Sequence, residues 1–530
     1  MLRVRLLLLP LLVVGGVVLA TAAPAGAKTV PMQPPFRVLV FDSLTQSQFH
    51  YLAKKGAVGL LVPGVGPKTN RRQALAEMLR GAEVNARLGG VPSGPRLITA
   101  TAATGYPSGC CYIVVVLPPK GRPAANDLRY PIVVLGRGFH GLLVSRTTRI
   151  PGLVSIVDIA PTALGRERGT LGSQPNANPA AALASLNHQI HANNRLKFAA
   201  LLVVAGFALF FLLLRSRAAV TAIPAALLTS LVLGAAQVTN EVVIMAALSL
   251  GTFLGGLWLA RLCRNDLSLL GLFVGVLVLH LVLLAARPEW VAITPLGPTQ
   301  NSRYWGIGNQ LETLLLAPLL AGAALARRLF GAAGFAAFAL LGLVTVAGNK
   351  FGSDGGGAIV LGVAFAFLGA RLLRLGPRGF LTMLLAAATA VMAIVWLDLR
   401  SPGPDHLRSA FGHGLSGLTQ VAANRVPLSY APAVHAWTLV LPLAVSFVVT
   451  LAIAIRVARP RVGRDVVFAL GLAVGVSLLV NDSAAYVLAG GVACAAAVAR
   501  FAPSYSPLLR PALVWARLAP QPVANEARSE

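Results

Sequence analysis

The run KFAALLVVAGFALFFLLL, residues 197–214, decides the fold class of this chain. It is apolar over the roughly 18 residues that a helix needs to cross a bilayer. Comparable runs recur as far as residue 499, and the chain of 530 residues is 56% hydrophobic and 12% charged. Because soluble globular domains carry about 25% charged residues, the sequence predicts an α-helical polytopic membrane protein.

Eleven such runs are predicted to be transmembrane helices. Their predicted bounds are 197–214, 218–236, 242–260, 267–286, 305–325, 329–348, 356–373, 379–397, 436–455, 466–480 and 484–499. Together they define a membrane domain predicted over residues 197–500.

Arginines are concentrated in the connections at one end of these helices. They are Arg215, Arg217, Arg261, Arg264, Arg327, Arg328, Arg371, Arg374, Arg378, Arg456, Arg459, Arg461 and Arg464. Because basic loops stay in the cytoplasm, this end and the tail at 501–530 are predicted to be cytoplasmic, in a plasma membrane. Most of the net charge of +28 is therefore attributed to arginines that orient the helices in the membrane. Nucleic acid is not a predicted partner, because the sequence carries no recognisable nucleic-acid-binding module.

The N-terminus has the features of a secretory signal peptide over residues 1–27. Arg3 and Arg5 precede the apolar stretch 6–20, and the small-residue motif AGA follows at 25–27. An uncleaved membrane anchor is the alternative. In both cases the next residues are predicted to lie outside the cytoplasm.

Residues 28–165 are predicted to form an extracytoplasmic α/β domain. Strand-like apolar runs occur on both sides of a helical pattern at 71–88, which is typical of an α/β sheet. The strand-like runs are 37–42, 56–64, 111–119 and 130–136. Residues 166–196 are predicted to be a linker with a short helix that leads into the membrane.

Three stretches of this domain resemble the alkaline phosphatase superfamily. They are FRVLVFDSLT (36–45), LAKKGAVGLLVPGVG (52–66) and GLLVSRTTRIPGLVSIVDIAPTALG (141–165). Together with RYWGIGNQ (303–310), they resemble more closely the phosphatase-like ectodomain of a family of Gram-positive multi-pass envelope proteins. The resemblance implies a site in which Asp and His bind two metal ions, and a Ser or Thr attacks a phosphate or sulfate ester.

In this resemblance, Asp42 matches the first strand-end Asp of the superfamily, and Asp158 matches the Asp of the closing motif. The ectodomain departs from the pattern because it lacks an Asp-His ligand pair. Its histidines are His50, His140, His188 and His191. Two divalent ions need several deprotonated ligands each. The domain is therefore predicted to be a degenerate relative without metal or cofactor, which serves as a docking or lid domain. Retained phosphatase activity is the alternative.

Polar side chains are concentrated at the outer ends of the predicted membrane helices. Glu312 and Asn309 are the predicted catalytic residues. The predicted substrate-binding residues are Glu241, Arg303, Asn349, Lys350, Asp354, Asn481 and Asp482. Helix capping is the alternative for Glu241, Asp354, Asn481 and Asp482, because Asn and Asp are favoured N-caps and Glu suits a first helical turn.

Glu312 is the hardest of these residues to explain by capping. Trp305 marks the predicted water interface, and Glu312 lies seven residues further on, about 10 Å deeper in a helix. Asn309 shares its helix face at a spacing of three residues. A carboxylate at that depth must face a protein interior or a wet cavity and find a partner. Arg303 and Lys350 are the predicted cations, and a protonated Glu312 is the alternative.

The stretch GNKFGSDGGG (348–357) allows two interpretations. Its glycines expose backbone N–H groups at a helix start beside Lys350, which is an arrangement that can hold an anion. Alternatively, the glycines serve close helix packing.

These patterns predict a protein of cell-envelope biogenesis. Its outward-facing polar cavity would act, as a transferase does, on an anionic and lipid-linked envelope substrate. A transporter or flippase of such an intermediate is the alternative, and would need polar groups near mid-membrane; His280 is one such group. A non-catalytic scaffold for envelope assembly is the third possibility. Membrane lipid or the lipid-linked substrate is the predicted partner, together with envelope-assembly proteins.

Overall fold

The computed structural model describes most of the chain between residues 36 and 503. The described ranges are 36–64, 68–80, 100–102, 111–165, 171–298, 304–348, 351–400, 436–481 and 483–503. The predicted signal peptide and almost all of the predicted tail lie outside these ranges.

Long apolar helices dominate the described part of the chain after the α/β domain. They are α4 Pro179–Leu213, α5 Ala218–Ala235, α6 Glu241–Leu262, α7 Asp266–Ala286, α9 Asn309–Ala347, α10 Gly355–Leu373, α11 Pro377–Arg400, α12 Trp437–Val457, α13 Arg461–Val480 and α14 Ala484–Ala499, with the short α8 Pro288–Ala292 between α7 and α9. Among the described residues, nine helices are long and apolar enough to cross a membrane, and α14 is a shorter apolar helix. The length and composition of these helices confirm the predicted class of α-helical membrane protein. The count of eleven spans stays a prediction.

The helix α9 contains two of the predicted spans. Its 39 residues are interrupted at Gly331, whose φ of 76° and ψ of −160° are not helical. A Cβ at Gly322 would lie 2.2 Å from the ring of Phe338, and a Cβ at Gly342 would lie 2.5 Å from Leu319. The two halves of α9 therefore fold back on each other as a hairpin around Gly331.

The first half of α9 also contains a proline, and this proline links the helix to α14. Pro318 has no N–H, so the Leu314 carbonyl lacks its usual helical donor. The Cys494 thiol on α14 points at this break, with Sγ 3.0 Å from the Thr313 oxygen and 3.6 Å from the Leu314 oxygen. Cys494 is thus a packing residue that also supplies a weak hydrogen-bond donor.

The N-terminal region is an α/β sheet region, as predicted. Its strands are β1 Arg37–Phe41, β2 Ala57–Val62, β3 Lys68–Thr69, β4 Ala100–Ala102, β5 Tyr112–Val116, β6 Ala124–Ala125, β7 Tyr130–Leu135, β8 Gly141–Val144, β9 Leu153–Ser155 and β10 Gly172–Gln174, and its helices are α1 Gln46–Ala53, α2 Arg71–Arg80 and α3 Ile159–Ala163. The main sheet has the order β10-β8-β2-β7-β5-β1-β4, with β9 also paired to β2.

The sheet is mixed, because β1 is parallel to both β4 and β5, whereas β7 is antiparallel to both β5 and β2. The central strands β2, β5 and β7 are almost wholly buried, which explains their continuous apolar sequences. The four strands expected from the sequence all form, each within two or three residues of its predicted bounds.

The segment predicted as a linker, 166–196, differs from that prediction in two respects. Strand β10 pairs with β8 and completes the main sheet. The expected short helix is the first half of α4, which begins after the N-cap Asn178 and continues without a break into the membrane domain. A single helix of 35 residues therefore joins the two parts of the molecule.

An apolar cluster packs the α/β region against the helical part of the chain. Its members are Val62, Ile150 and Leu153 from the α/β region, and Ile190, Ala292, Ile293, Tyr304 and Trp305 from the helical part. This contact lies next to the start of α9, because Tyr304 and Trp305 lie just before that helix.

We expect Gly234→Ala to destabilise the protein, because α5 and α8 are in close contact at this glycine. A Cβ there would lie 2.2 Å from the Trp290 backbone oxygen and 2.6 Å from Thr294. Overpacking of this kind costs about 1–3 kcal/mol, so the melting temperature of the detergent-purified protein should fall. The control is Gly271→Ala, since no atom lies within 4 Å of the added Cβ. Equal melting temperatures for both variants would contradict the α5–α8 packing.

Candidate functional site

Four polar side chains from three elements meet at the end of the bundle that faces the α/β region. Asn481, which ends α13, donates from Nδ2 to Glu312 Oε2 on α9 over 2.8 Å, and lies 2.8 Å from Ser477 Oγ. Asp354 caps α10 by accepting from Gly357 N over 3.2 Å. Glu312, Asp354, Ser477 and Asn481 are called the Glu312 cluster below.

The Glu312 cluster is buried in the protein interior. The exposed fraction is 0% for Glu312, 2% for Asp354 and 6% for Asn481. Burying a carboxyl group costs several kcal/mol unless other groups hydrogen-bond to it. The hydrogen bond from the Asn481 amide therefore stabilises the buried Glu312 carboxyl group.

Two glycines allow the cluster to form. A Cβ at Gly356 would lie 2.4 Å from Asn481 Oδ1. A Cβ at Gly357 would lie 3.2 Å from both the Asp354 carboxyl carbon and Glu312 Cγ. The two acidic side chains are therefore neighbours across Gly357. The start of α10 uses its glycines for close approach, as the packing interpretation of the GGG sequence expects.

The backbone before α9 is joined to the backbone before α10. Ile307 N donates to Gly352 O over 2.9 Å. Gly306 has a φ of +86°, and a Cβ there would lie 2.3 Å from the same oxygen, so only glycine fits without strain. These contacts hold the starts of the helices that carry Glu312 and Asp354 at a fixed separation.

A buried lysine, Lys197, holds residues 294–297, which precede the start of α9. Lys197 on α4 is 2% exposed, and its Nζ donates to Thr294 O over 3.2 Å and to Gly297 O over 2.7 Å. Gln310, two residues before Glu312, donates to Lys197 O and to Pro295 O, each over 3.1 Å. Residues 294–297 are thus tied to both α4 and the first turn of α9.

The α/β region contacts two aromatic residues, Tyr304 and Trp305, that lie just before α9. The Trp305 indole N–H donates to Thr147 O over 3.0 Å, and the Arg149 guanidinium stacks on the Trp305 ring with 3.5 Å to its centroid. The hydroxyl groups of Tyr304 and Ser155 share a hydrogen bond of 3.0 Å. The α/β region is therefore docked four residues before Asn309.

Asp158 organises the docking surface of the α/β region. It is 2% exposed, and accepts from Ser145 Oγ over 2.6 Å, from Thr147 Oγ1 and from Ser155 N over 3.0 Å. Thr147 and Ser155 are the residues that contact Trp305 and Tyr304. This carboxylate therefore shapes the contact between the two parts of the chain.

Asp42, the other aspartate of the phosphatase resemblance, lies at the surface. Its side chain is 79% exposed and pairs with Arg71. Among the residues that the structure describes, no three His, Cys, Asp or Glu side chains are grouped as a metal site. Asp42 is therefore exposed to solvent, whereas Asp158 is buried and accepts hydrogen bonds from residues of its own domain.

The remaining predicted site residues are Asn309, one turn before Glu312 on α9, Glu241 on α6, and four residues outside the described ranges. Asn309 begins α9, is half-buried, and accepts from Thr313 Oγ1 through its backbone oxygen. Glu241 is in the first turn of α6 and pairs with Arg195 over 3.4 Å, while its neighbour Asn240 caps that helix. The predicted residues outside the described ranges are Arg303, Asn349, Lys350 and Asp482.

Several residues that build the site are not among those predicted from the sequence. Ser477 lies four residues before Asn481 on the same helix, a spacing that places polar groups on one face. Lys197 is the single charge of the run 197–214, and a lone charge in a span signals a buried partner. The docking role of Thr147 and Ser155 has no comparable local signal, because it depends on contacts more than 140 residues away in sequence.

Comparison of the chain with protein-family models, with curated proteins and with solved structures gave no match. The chemistry of the site is accordingly inferred from its side chains. A buried carboxyl group beside an amide and a hydroxyl can accept or donate a proton, and its neighbours fix its orientation.

We expect Asp158→Asn to destabilise the protein far more than Asp42→Asn. The amide would turn its NH2 group toward one of three buried donors, which costs about 1–3 kcal/mol for each donor left unsatisfied. The exposed Asp42 pair contributes about 0–1 kcal/mol. Thermal unfolding and limited proteolysis of the detergent-purified variants measure this difference. Two equally stable variants would contradict the structural role of Asp158.

Proposed function

We propose that this protein is a membrane enzyme of cell-envelope biogenesis that acts, as a transferase does, on an anionic, lipid-linked substrate at the Glu312 cluster. The observation that carries the proposal is the fully buried Glu312, hydrogen-bonded to Asn481 and adjacent to Asp354 beneath the α/β region. A carboxyl group of this kind is expensive to bury, and intramembrane ionisable groups mark functional sites.

In this proposal Glu312 is the general acid or base. As a base, it takes the proton of an acceptor hydroxyl group. The hydroxyl oxygen bonds to the carbon of the transferred group while the bond from that carbon to the phosphate oxygen breaks, and the leaving phosphate keeps the electron pair of that bond. Asn481 orients the Glu312 carboxylate, and Asn309 orients the hydroxyl group. Arg303 and Lys350, which lie outside the described ranges, are the predicted cations for the phosphate.

The α/β region serves as a docked lid in the proposed enzyme. It contacts Tyr304 and Trp305, so its position is linked to the start of α9. The distribution of arginines supports an extracytoplasmic location for this end of the bundle. The substrate would then be an envelope lipid or glycan precursor on the outer leaflet.

A transporter is the weaker candidate, because it needs polar groups near the middle of the membrane. His280 was the sequence-based candidate for such a group. It is 1% exposed, and its Nδ1 bonds to Val276 O, one turn earlier on α7, over 2.8 Å. A histidine held in this way by its own helix favours a structural role.

The test is complementation of cells that lack the gene, with Glu312→Gln compared against Asp465→Asn. Asp465 is a suitable control because it is also a buried carboxylate, 2% exposed, but pairs with Arg371 at the opposite end of the bundle. Both variants should be expressed and inserted at matched levels. Envelope lipids and glycans are then profiled by mass spectrometry.

We expect Glu312→Gln to reduce the affected envelope product about 100-fold or more, as loss of a general acid or base does, whereas Asp465→Asn restores it. A normal envelope profile with Glu312→Gln would overturn the catalytic role. An intact precursor that accumulates on the cytoplasmic leaflet of the deletion strain would favour transport.

A further inference from the structure

A cleft lies at the opposite end of the bundle, and none of the residues of the Glu312 cluster takes part in it. It is a small cleft that is open to the surroundings. Three arginines line it: Arg217 from the α4–α5 connection, Arg264 from the α6–α7 connection, and Arg500 at the end of α14. Residues distant in sequence therefore bring three guanidinium groups to one concave surface.

Backbone carbonyl groups orient these arginines. Arg500 Nη2 donates to Leu212 O over 3.0 Å, and Arg217 Nη1 donates to Arg264 O over 3.2 Å. Arg264 Nε donates to Arg261 O over 2.9 Å. Because a carbonyl group carries no formal charge, these bonds orient the guanidinium groups of Arg264 and Arg500 without neutralising them.

Arg500 has the clearest requirement for a further ligand. Its Nε is buried and makes no hydrogen bond within the described part of the chain. The next residue, Phe501, is 1% exposed and packs in the hydrophobic core, so the backbone at Arg500 is anchored. Arg500 therefore has a fixed position in the lining of the cleft, and its guanidinium group keeps hydrogen-bonding capacity that the described residues do not use.

One acidic residue, Asp266, also lines the cleft. It is 6% exposed and pairs with Arg328 over 3.0 Å, and Arg328 is not among the lining residues. The lining thus contains three formal positive charges and one negative charge. That negative charge is engaged by a fourth arginine, which leaves the cleft an attractive site for an anion.

We propose that this cleft binds a phosphate group. Guanidinium groups match the oxygens of phosphate with pairs of parallel N–H donors, and basic pockets between membrane helices bind phosphate-bearing headgroups. The apolar walls, Val220 and Leu269, suit the start of an acyl chain. The phosphate can come from an anionic membrane lipid or from a soluble phosphate compound, because both present the same chemistry.

The experiment uses the full chain, purified in detergent and depleted of lipid. Binding of phosphatidylglycerol is measured by native mass spectrometry and by the rise in melting temperature, with phosphatidylcholine and inorganic phosphate as further probes. The variants are Arg500→Gln and Arg264→Gln. The matched control is Arg378→Gln, an exposed arginine at the same end of the bundle but outside the cleft.

We expect phosphatidylglycerol to bind to the wild-type protein and to Arg378→Gln equally, and each cleft variant to bind it about fivefold more weakly, the effect of one basic contact with an anionic headgroup. Phosphatidylglycerol binding that inorganic phosphate does not displace identifies the lipid as the source. Displacement at millimolar phosphate identifies a soluble compound. Equal binding in all four proteins, or equal loss in Arg378→Gln, would overturn the proposal.

Discussion

The hydrogen bond from Asn481 to Glu312 joins α13 to α9 inside the bundle. Glu312 is wholly inaccessible, so its carboxyl group depends on partners that the protein supplies. The space that this cluster occupies explains the residues at the start of α10. Gly356 and Gly357 must lack side chains because the cluster occupies that space, and Asp354 caps α10 at the same point. The hydrogen bonds of the Glu312 cluster and the packing of α9, α10 and α13 at this end of the bundle therefore depend on each other.

The same constraint extends into the α/β region through a chain of contacts. Asp158 holds Thr147 and Ser155, these residues contact Trp305 and Tyr304, and α9 begins four residues after Trp305. In the phosphatase resemblance Asp158 matches the Asp of the closing motif, and in this structure it receives three hydrogen bonds from its own domain. The α/β region can thus act as a rigid support for the loop before Glu312.

Much of the architecture could be predicted from local sequence because bilayer-length apolar runs and buried strands have strong periodic signals. The prediction also singled out Glu312, since a carboxylate within an apolar run is costly. Asp354 and Asn481 are also predicted for this site, but together with five other substrate-binding residues. Local sequence does not separate them from Glu241, because all three also fit ordinary capping positions and contact with Glu312 depends on the tertiary structure. Local sequence likewise does not show that Glu241 pairs with Arg195 on a separate part of the surface, or that 179–196 continue into a membrane helix.

A double-mutant cycle on Glu312→Ala and Asn481→Ala tests the central claim most directly. The free energy of unfolding of the two single variants and the double variant is measured in the same detergent. A buried hydrogen bond to a carboxyl group predicts a coupling energy of about 1–3 kcal/mol, because either single change leaves a buried polar group without its partner. Additive effects, with coupling below about 0.5 kcal/mol, would contradict the proposed dependence of Glu312 on Asn481.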